Sequence, residues 1–103
     1  MSTRPGELAR VEARVTGRVQ GVGFRYFVLD AAMSLGLTGW VANEQDGSVH
    51  CVAEGPRRDL ERLVSALNEG PISADVDYVD AVWMPSTGRF SSFGLRSSGH
   101  RGD

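Results

Sequence analysis

The sequence predicts an α+β fold in which two helices pack on one face of an antiparallel sheet. Three observations predict it. The chain has 103 residues, the length of one small domain. Stretches in which apolar and polar residues alternate, typical of strands, are interspersed with stretches whose apolar residues recur every three or four positions, typical of helices. Each predicted helix is apolar on one side only and each strand is polar on one face, which favours a two-layer sandwich.

The first unit is a strand, a glycine-rich loop and a helix. Leu8–Thr16 has small apolar residues at positions 9, 11, 13 and 15 with polar residues between them, as a strand with one buried face does. Three glycines then follow within seven residues: Gly17, Gly21 and Gly23. From Phe24 to Leu35 the apolar residues recur at helical spacing, and Gly36 is a typical helix end.

The second unit starts with a hairpin. Trp40 begins a short strand, the polar run Asn43–Gly47 forms the turn, and Val49–Glu54 returns as the next strand. Pro56 stands at the first turn of a second helix, where proline is tolerated. Leu60, Leu63, Val64 and Leu67 line one side of that helix, and Gly70-Pro71 ends it.

Two more strands complete the predicted order. Val76–Trp83 is the first, and Phe93–Arg96 is a short extra C-terminal strand after the turn around Pro85–Gly88. The order strand–helix–strand–strand–helix–strand fits the ferredoxin-like split β-α-β topology. We therefore expect a single domain over residues 1–103, with residues 1–7 and 97–103 as flexible tails.

The composition excludes several classes of protein. No run approaches the roughly 18 apolar residues of a membrane span, and the N-terminus lacks the apolar block of a signal peptide. Cys51 is the single cysteine, which excludes an internal disulfide and fits a reducing compartment. The net charge of −2 argues against a broad nucleic-acid surface. We expect a monomeric cytoplasmic protein that binds neither nucleic acid nor membrane.

The glycine-rich loop is a candidate anion site. It leads into a helix start, where backbone N–H groups and the positive end of the helix dipole favour an anion. Arg25 adds a guanidinium whose geometry matches phosphate or carboxylate oxygens. All 11 basic residues are arginines, and the spacing fits neither the P-loop nor the GxGxxG nucleotide motif. The residues of the loop alone leave a plain tight turn and an anion cradle equally open.

No other constellation of residues indicates chemistry by itself. His50 and His100, with one cysteine and scattered carboxylates, do not have the spacing of metal ligands, so no metal is expected. No serine or cysteine has the histidine and acid pattern of a covalent triad. Asn43 near a turn is, on its own, an ordinary turn residue.

Two motifs in the chain resemble the acylphosphatase family. One is Gly17–Arg25, with the sequence GRVQGVGFR, and the other is Gly39–Asn43, with the sequence GWVAN, followed by Asp46-Gly47. The resemblance extends over roughly Glu12 to Arg96 and includes Glu54-Gly55-Pro56 before the second helix. Small acylphosphatases are ferredoxin-like sandwiches, which agrees with the predicted order of elements.

The resemblance implies hydrolysis of acyl phosphates to a carboxylate and inorganic phosphate, without metal or cofactor. Arg25 would neutralise charge on the phosphate, and Asn43 would orient the attacking water. The phosphate oxygens would be bound by the backbone N–H groups of Gln20, Gly21, Val22, Gly23 and Phe24. The expected partners are an acyl phosphate substrate and inorganic phosphate as product or inhibitor.

Other classes use the same sandwich. One is a non-catalytic binding or regulatory module for a small anion. Another is an RNA-binding module, although the first predicted strand lacks the aromatic residues of an RNA-binding sheet. A third is an acylphosphatase-like domain that serves a larger carbamoyl-transfer protein, and the lack of zinc-finger cysteines argues against it.

Overall fold

The computed structural model describes residues 4–96, so the predicted tail 97–103 and residues 1–3 of the predicted tail 1–7 lie outside the described residues. Seven elements follow one another along the chain. They are β1 (Leu8–Arg18), α1 (Phe24–Ser34), β2 (Thr38–Asn43), β3 (Val49–Pro56), α2 (Arg57–Glu69), β4 (Asp75–Pro85) and β5 (Phe93–Arg96). All seven were predicted in this order, with bounds that differ by a few residues at most.

The five strands form one sheet in the order β4-β1-β3-β2-β5. Its first four strands are antiparallel to their neighbours, which confirms the ferredoxin-like topology. The short extra strand β5, predicted as part of an antiparallel sheet, runs parallel to β2. The reason is that β4 ends at the end of the sheet where β2 begins, so the chain crosses that end and β5 must run beside β2 in the same direction.

The core lies between the sheet and the two helices. The alternation predicted for β1 places Ala9, Val11, Ala13 and Val15 in the core, each at most 3% exposed. The side chains that the helices bury join the same cluster: Phe24, Val28, Ala32, Leu60, Leu63 and Leu67. Both helices therefore pack on one face of the sheet, as predicted. Among the described residues, neither helix is long and apolar enough to cross a membrane.

Residues 4–7, predicted as part of a loose tail, form a turn that caps α2. The backbone N–H of Arg57 donates to the carbonyl of Glu7, and that of Arg58 donates to the carbonyl of Pro5, both at 2.9 Å. The first N–H groups of a helix have no intrahelical acceptor, and Pro56 supplies no side-chain cap to α2. The N-terminal turn provides these acceptors, which is why this part of the predicted tail is built into the fold.

A buried carboxylate holds the connection between β4 and β5. Glu54, in β3, lies on the sheet face opposite the helices and is 4% exposed. It accepts hydrogen bonds from the Arg10 guanidinium, from the hydroxyls of Ser86 and Thr87, and from the backbone N–H groups of Thr87 and Gly88. These contacts fasten the connection to the centre of the sheet.

Candidate active site

The topology brings the two motifs together at one end of the sheet. β1 and β2 both pair antiparallel with β3, so they are parallel to each other and end on the same side. In the register, Val15 of β1 and Asn43 of β2 both lie opposite Val49 of β3. The loop after β1 therefore starts close to the last residue of β2. This proximity could not be deduced from the spacing along the sequence.

A small cavity of about 110 Å³ opens between the glycine-rich loop and Asn43. Its lining consists of Gly21, Gly23, Phe24, Arg25, Tyr26 and Asn43. Arg25 and Asn43, from different motifs, thus border the same space. Tyr26 was not predicted as a site residue, while the side chains of Gln20 and Val22 are directed elsewhere.

The loop backbone requires glycine at two positions. Gly21 and Gly23 have φ angles of 74° and 76°, in the left-handed region that other residues adopt only with strain. A Cβ at either position would meet nothing within 4 Å, so the backbone conformation and not lack of space explains both glycines. Gly23 is the N-cap of α1, and its left-handed conformation turns the chain into the helix.

The start of α1 concentrates positive charge at the cavity. The first intrahelical hydrogen bond runs from the Phe27 N–H to the Gly23 carbonyl, at 3.1 Å. The N–H groups that precede it in the first turn form the positive end of the helix dipole, and no acidic side chain of that turn offsets them. Arg25 adds a full positive charge in the same turn, where a cation is unfavourable for an isolated helix. This arrangement is suited to a bound anion.

Asn43 supplies a neutral amide on the other side of the cavity. It is the last residue of β2 and lies two residues after Val41, so it shares the sheet face that packs against the helices. It is half-buried. An amide both donates and accepts hydrogen bonds, so it can orient a water molecule without changing charge.

Two side chains outside the cavity anchor the loop. The Gln20 amide nitrogen, Nε2, donates to the backbone carbonyls of Glu44 and Ser48, both at 2.8 Å. The Ser73 hydroxyl donates to the Val22 carbonyl at 2.9 Å. Sequence reasoning selected Gln20 for its backbone N–H only and missed Ser73. Both contacts join segments that are far apart in the chain, and no local pattern signals them.

The turn between β2 and β3 is fixed by Asp46. Its Oδ1 accepts from the Ser48 backbone N–H at 2.9 Å and from the Ser48 hydroxyl at 2.6 Å. Its Oδ2 accepts from the Arg14 guanidinium at 2.6 Å. The hydrogen bonds from Ser48, followed by the charge of Arg14, lower the pKa of Asp46 below its ordinary value. The turn that follows Asn43 is thus held by an ionised carboxylate.

The other titratable candidates lie away from the cavity. His50 is on the opposite face of the sheet, where its ring packs edge-on against Trp40 with the ring centroids 5.1 Å apart. Cys51 is buried in the core, and burial raises the pKa of its thiol to about 12. Within residues 4–96, no group of three or more His, Cys, Asp or Glu side chains could hold a metal ion.

Comparisons with known proteins identify relatives that match most of the chain. The family model described as Acylphosphatase matches residues 11–95. The acylphosphatase of Salinibacter ruber is 52% identical over 91 residues, which cover 88% of this chain and 96% of the relative. The crystal structure of acylphosphatase from Bacillus subtilis superposes with a TM-score of 0.83 at 38% identity, over 85% of this chain and 98% of that one. An acylphosphatase structure from Coxiella burnetii gives a TM-score of 0.82 at 36% identity, over 93% of this chain and 100% of that one.

Proposed function

Since the chain belongs to the acylphosphatase family, we propose that it hydrolyses acyl phosphates with Arg25 and Asn43 as its catalytic residues. The protein is an acylphosphatase, a hydrolase that releases a carboxylate and inorganic phosphate. The observation that carries the residue assignment is the shared cavity. Arg25 and Asn43 border it together with Gly21 and Gly23 of the loop.

The phosphate group of the substrate binds to the phosphate cradle, by which we mean the backbone N–H groups of residues 20–24. The left-handed glycines and the helix start supply this concentration of N–H groups. The Arg25 guanidinium neutralises the charge that the phosphoryl oxygens carry in the transition state. The acyl end of the substrate then lies toward the mouth of the cavity, beside the exposed Tyr26.

The Asn43 amide holds the attacking water opposite the leaving group. The water oxygen forms a bond to phosphorus, the bond between phosphorus and the acyl oxygen breaks, and the carboxylate departs with that electron pair. One proton of the water stays on the oxygen now bonded to phosphorus and the other passes to a phosphoryl oxygen, so the products are the carboxylate and dihydrogen phosphate. A carboxylate is a weak base and needs no general acid to leave. Positioning and charge stabilisation therefore suffice for this reaction.

We also propose that the enzyme is a cytoplasmic monomer with a single domain across residues 1–103. One hydrophobic cluster unites both helices and the sheet in the described part of the chain, which supports a single domain. The buried free thiol of Cys51 is compatible with a reducing compartment.

The test is hydrolysis of benzoyl phosphate in buffer that contains EDTA. We expect the wild type to be active there. Arg25→Ala should lose both turnover and inhibition by inorganic phosphate, because the charge that holds the phosphate is gone. Asn43→Ala should lose turnover by about 100-fold or more while phosphate still inhibits, because only the water has lost its support.

Matched controls come from helix α2. Arg58 and Asn68 are exposed and do not line the cavity, so Arg58→Ala and Asn68→Ala remove the same groups outside the site and should keep wild-type kinetics. Equal phosphate inhibition in wild type and Arg25→Ala, or near-normal turnover in Asn43→Ala, would contradict the proposed roles. A requirement for metal would contradict the mechanism, and a protein that binds phosphate without hydrolysis would be an anion-binding module.

A further inference from the structure

We infer that the Gln20 side chain is a positioning residue that sets the distance between the phosphate cradle and the water held by Asn43. The inference rests on the proposed function, because it assumes the roles of the cradle and of Asn43. It concerns the side-chain amide of Gln20, whereas the cradle uses the backbone N–H of the same residue.

The Gln20 amide joins the two halves of the site. The backbone of Gln20 begins the cradle, and its Nε2 donates to the carbonyls of Glu44 and Ser48, both at 2.8 Å. Glu44 follows Asn43 directly, at the end of β2. A single half-buried side chain therefore connects the residue that opens the cradle to the residue next to Asn43.

The acceptors belong to a turn that is itself held by hydrogen bonds. The Glu44 N–H donates to the Ser48 carbonyl at 2.9 Å, and the Gly47 N–H donates to the Glu44 carbonyl at 3.1 Å. Both carbonyls are thus fixed relative to each other. Two bonds from one amide to two fixed acceptors determine both the distance and the orientation of the loop relative to the turn.

The sheet connects the two halves of the site only indirectly, through β3. β1 and β2 are not neighbours in the sheet, because β3 lies between them, so no ladder hydrogen bonds join the strand before the cradle to the strand that ends at Asn43. In-line attack needs the water oxygen at about 3 to 3.5 Å from phosphorus, and a displacement of about 1 Å can reduce the rate about 100-fold. Phosphate binding has no such requirement, since it uses the cradle and Arg25 only.

The inference predicts that turnover and phosphate binding respond differently when the amide is removed. Gln20→Met keeps a side chain of similar size without the two donors. We expect its kcat for benzoyl phosphate to fall by about tenfold or more, while the inhibition constant of inorganic phosphate changes by less than about threefold. Gln20→Asn keeps the amide but is one methylene too short to reach both carbonyls. Its kcat should also fall while the inhibition constant of inorganic phosphate stays nearly unchanged.

The matched control is Gln45→Met, which removes the same amide from an exposed side chain of the same turn and should retain wild-type kinetics. Thermal unfolding of each variant identifies any that does not fold. An unchanged kcat in both Gln20 variants would overturn the inference. An equal loss of kcat and of phosphate affinity would also overturn it, because Gln20 would then only shape the cradle.

A double-mutant cycle with Asn43→Ala tests whether Gln20 acts through Asn43. We expect Gln20→Met to cause almost no further loss of kcat when the Asn43 amide is already absent, because no oriented water remains to be displaced. Losses that simply add would show an independent role and overturn the inference. Failure of the proposed function appears in a different variant, as normal turnover in Asn43→Ala alone.

Discussion

Asp46 makes two kinds of interaction in the turn beside the candidate active site, and they differ in strength. Its ion pair with Arg14 joins two side chains that are 48% and 56% exposed, and such pairs contribute little because water screens them. Its hydrogen bonds to the Ser48 N–H and hydroxyl close the turn locally, in the manner of an Asx turn. The turn should therefore depend on the hydrogen bonds and not on the charge.

Two substitutions of Asp46 separate these interactions. Asp46→Asn keeps an oxygen that can accept from Ser48, so we expect its Tm to lie within about 2 °C of wild type. Asp46→Ala removes the acceptor and should lower the Tm by about 5 °C. It should also reduce kcat, since the Ser48 carbonyl that accepts from Gln20 belongs to this turn. An equal decrease in Tm in both variants would show that the ion pair with Arg14 contributes more to the stability of the turn than the hydrogen bonds from Ser48.

At the level of single residues, the sequence indicated which residues line the cavity but not which hydrogen bonds hold the loop in place. Arg25 and Asn43 were selected from motifs, and the structure places both at one cavity. The side chains of Gln20 and Ser73 could not be selected, because each acts on a backbone carbonyl of a segment distant in the chain. A hydrogen bond to a carbonyl is independent of the acceptor's side chain, so it leaves no pattern in the sequence.

Helix α1 has a left-handed glycine beyond each end, and only one of them shapes the site. Gly23 precedes the helix with φ 76°, and Gly36 follows it with φ 70°. Neither would place a Cβ within 4 Å of other atoms, so alanine at either position causes backbone strain without a clash. The two positions are therefore a matched pair that separates stability from phosphate binding.

We expect Gly23→Ala and Gly36→Ala to cost similar stability, about 1 to 2 kcal/mol each in urea unfolding. Only Gly23→Ala should impair the enzyme, because it rotates the N–H groups of the cradle away from the phosphate. Its activity on benzoyl phosphate should fall about tenfold or more, while Gly36→Ala retains wild-type activity once folded. Equal activities in the two variants would show that the conformation of Gly23 is not needed for the cradle.

Elements were predictable where their signal is local. Alternation located β1, helical spacing located α1 and α2, and a glycine-containing polar run located the turn before β3. The direction of β5 was not predictable, because it depends on which end of the sheet the chain has reached when β4 stops. The extension of β1 to Arg18 was missed for a related reason: a register shift after Thr16 lets Gly17 and Arg18 pair with Val76 and Asp75.

At the scale of the whole molecule, the buried carboxylate of Glu54 and the amide of Asn43 lie at opposite ends of the sheet. Glu54 pairs with Thr38 at the start of β2, whereas Asn43 stands at the end of that strand. Burial alone would raise the pKa of Glu54, but the hydrogen bonds that it accepts outweigh this effect and lower the pKa to about 2. The donors that lower the pKa are the Thr87 hydroxyl, the Arg10 guanidinium and the Gly88 and Thr87 amides.

Because of this lowered pKa, the free energy of unfolding depends on pH. The ordinary pKa of a glutamate is 4.5, so the contribution of Glu54 is fully present above that pH and is lost as the pH falls toward 2. The difference corresponds to about 3 kcal/mol of unfolding free energy. In urea unfolding at pH 6, we expect the free energy of unfolding of Glu54→Gln to be well below that of wild type. Between pH 5 and pH 2 this difference in free energy should decrease by about 3 kcal/mol.

All other carboxylates are present in both proteins, so their effects cancel in the difference between the two free energies of unfolding. A decrease of this difference at low pH therefore reports on Glu54 alone. Glu69→Gln, an exposed change of the same type at the end of α2, is the matched control and should leave the free energy of unfolding at pH 6 close to that of wild type. A gap between wild type and Glu54→Gln that stays constant from pH 6 to pH 2 would contradict the assignment. At pH 5, Glu54→Gln should still hydrolyse benzoyl phosphate like the wild type while it remains folded, because the carboxylate acts at the end of the sheet away from the cavity.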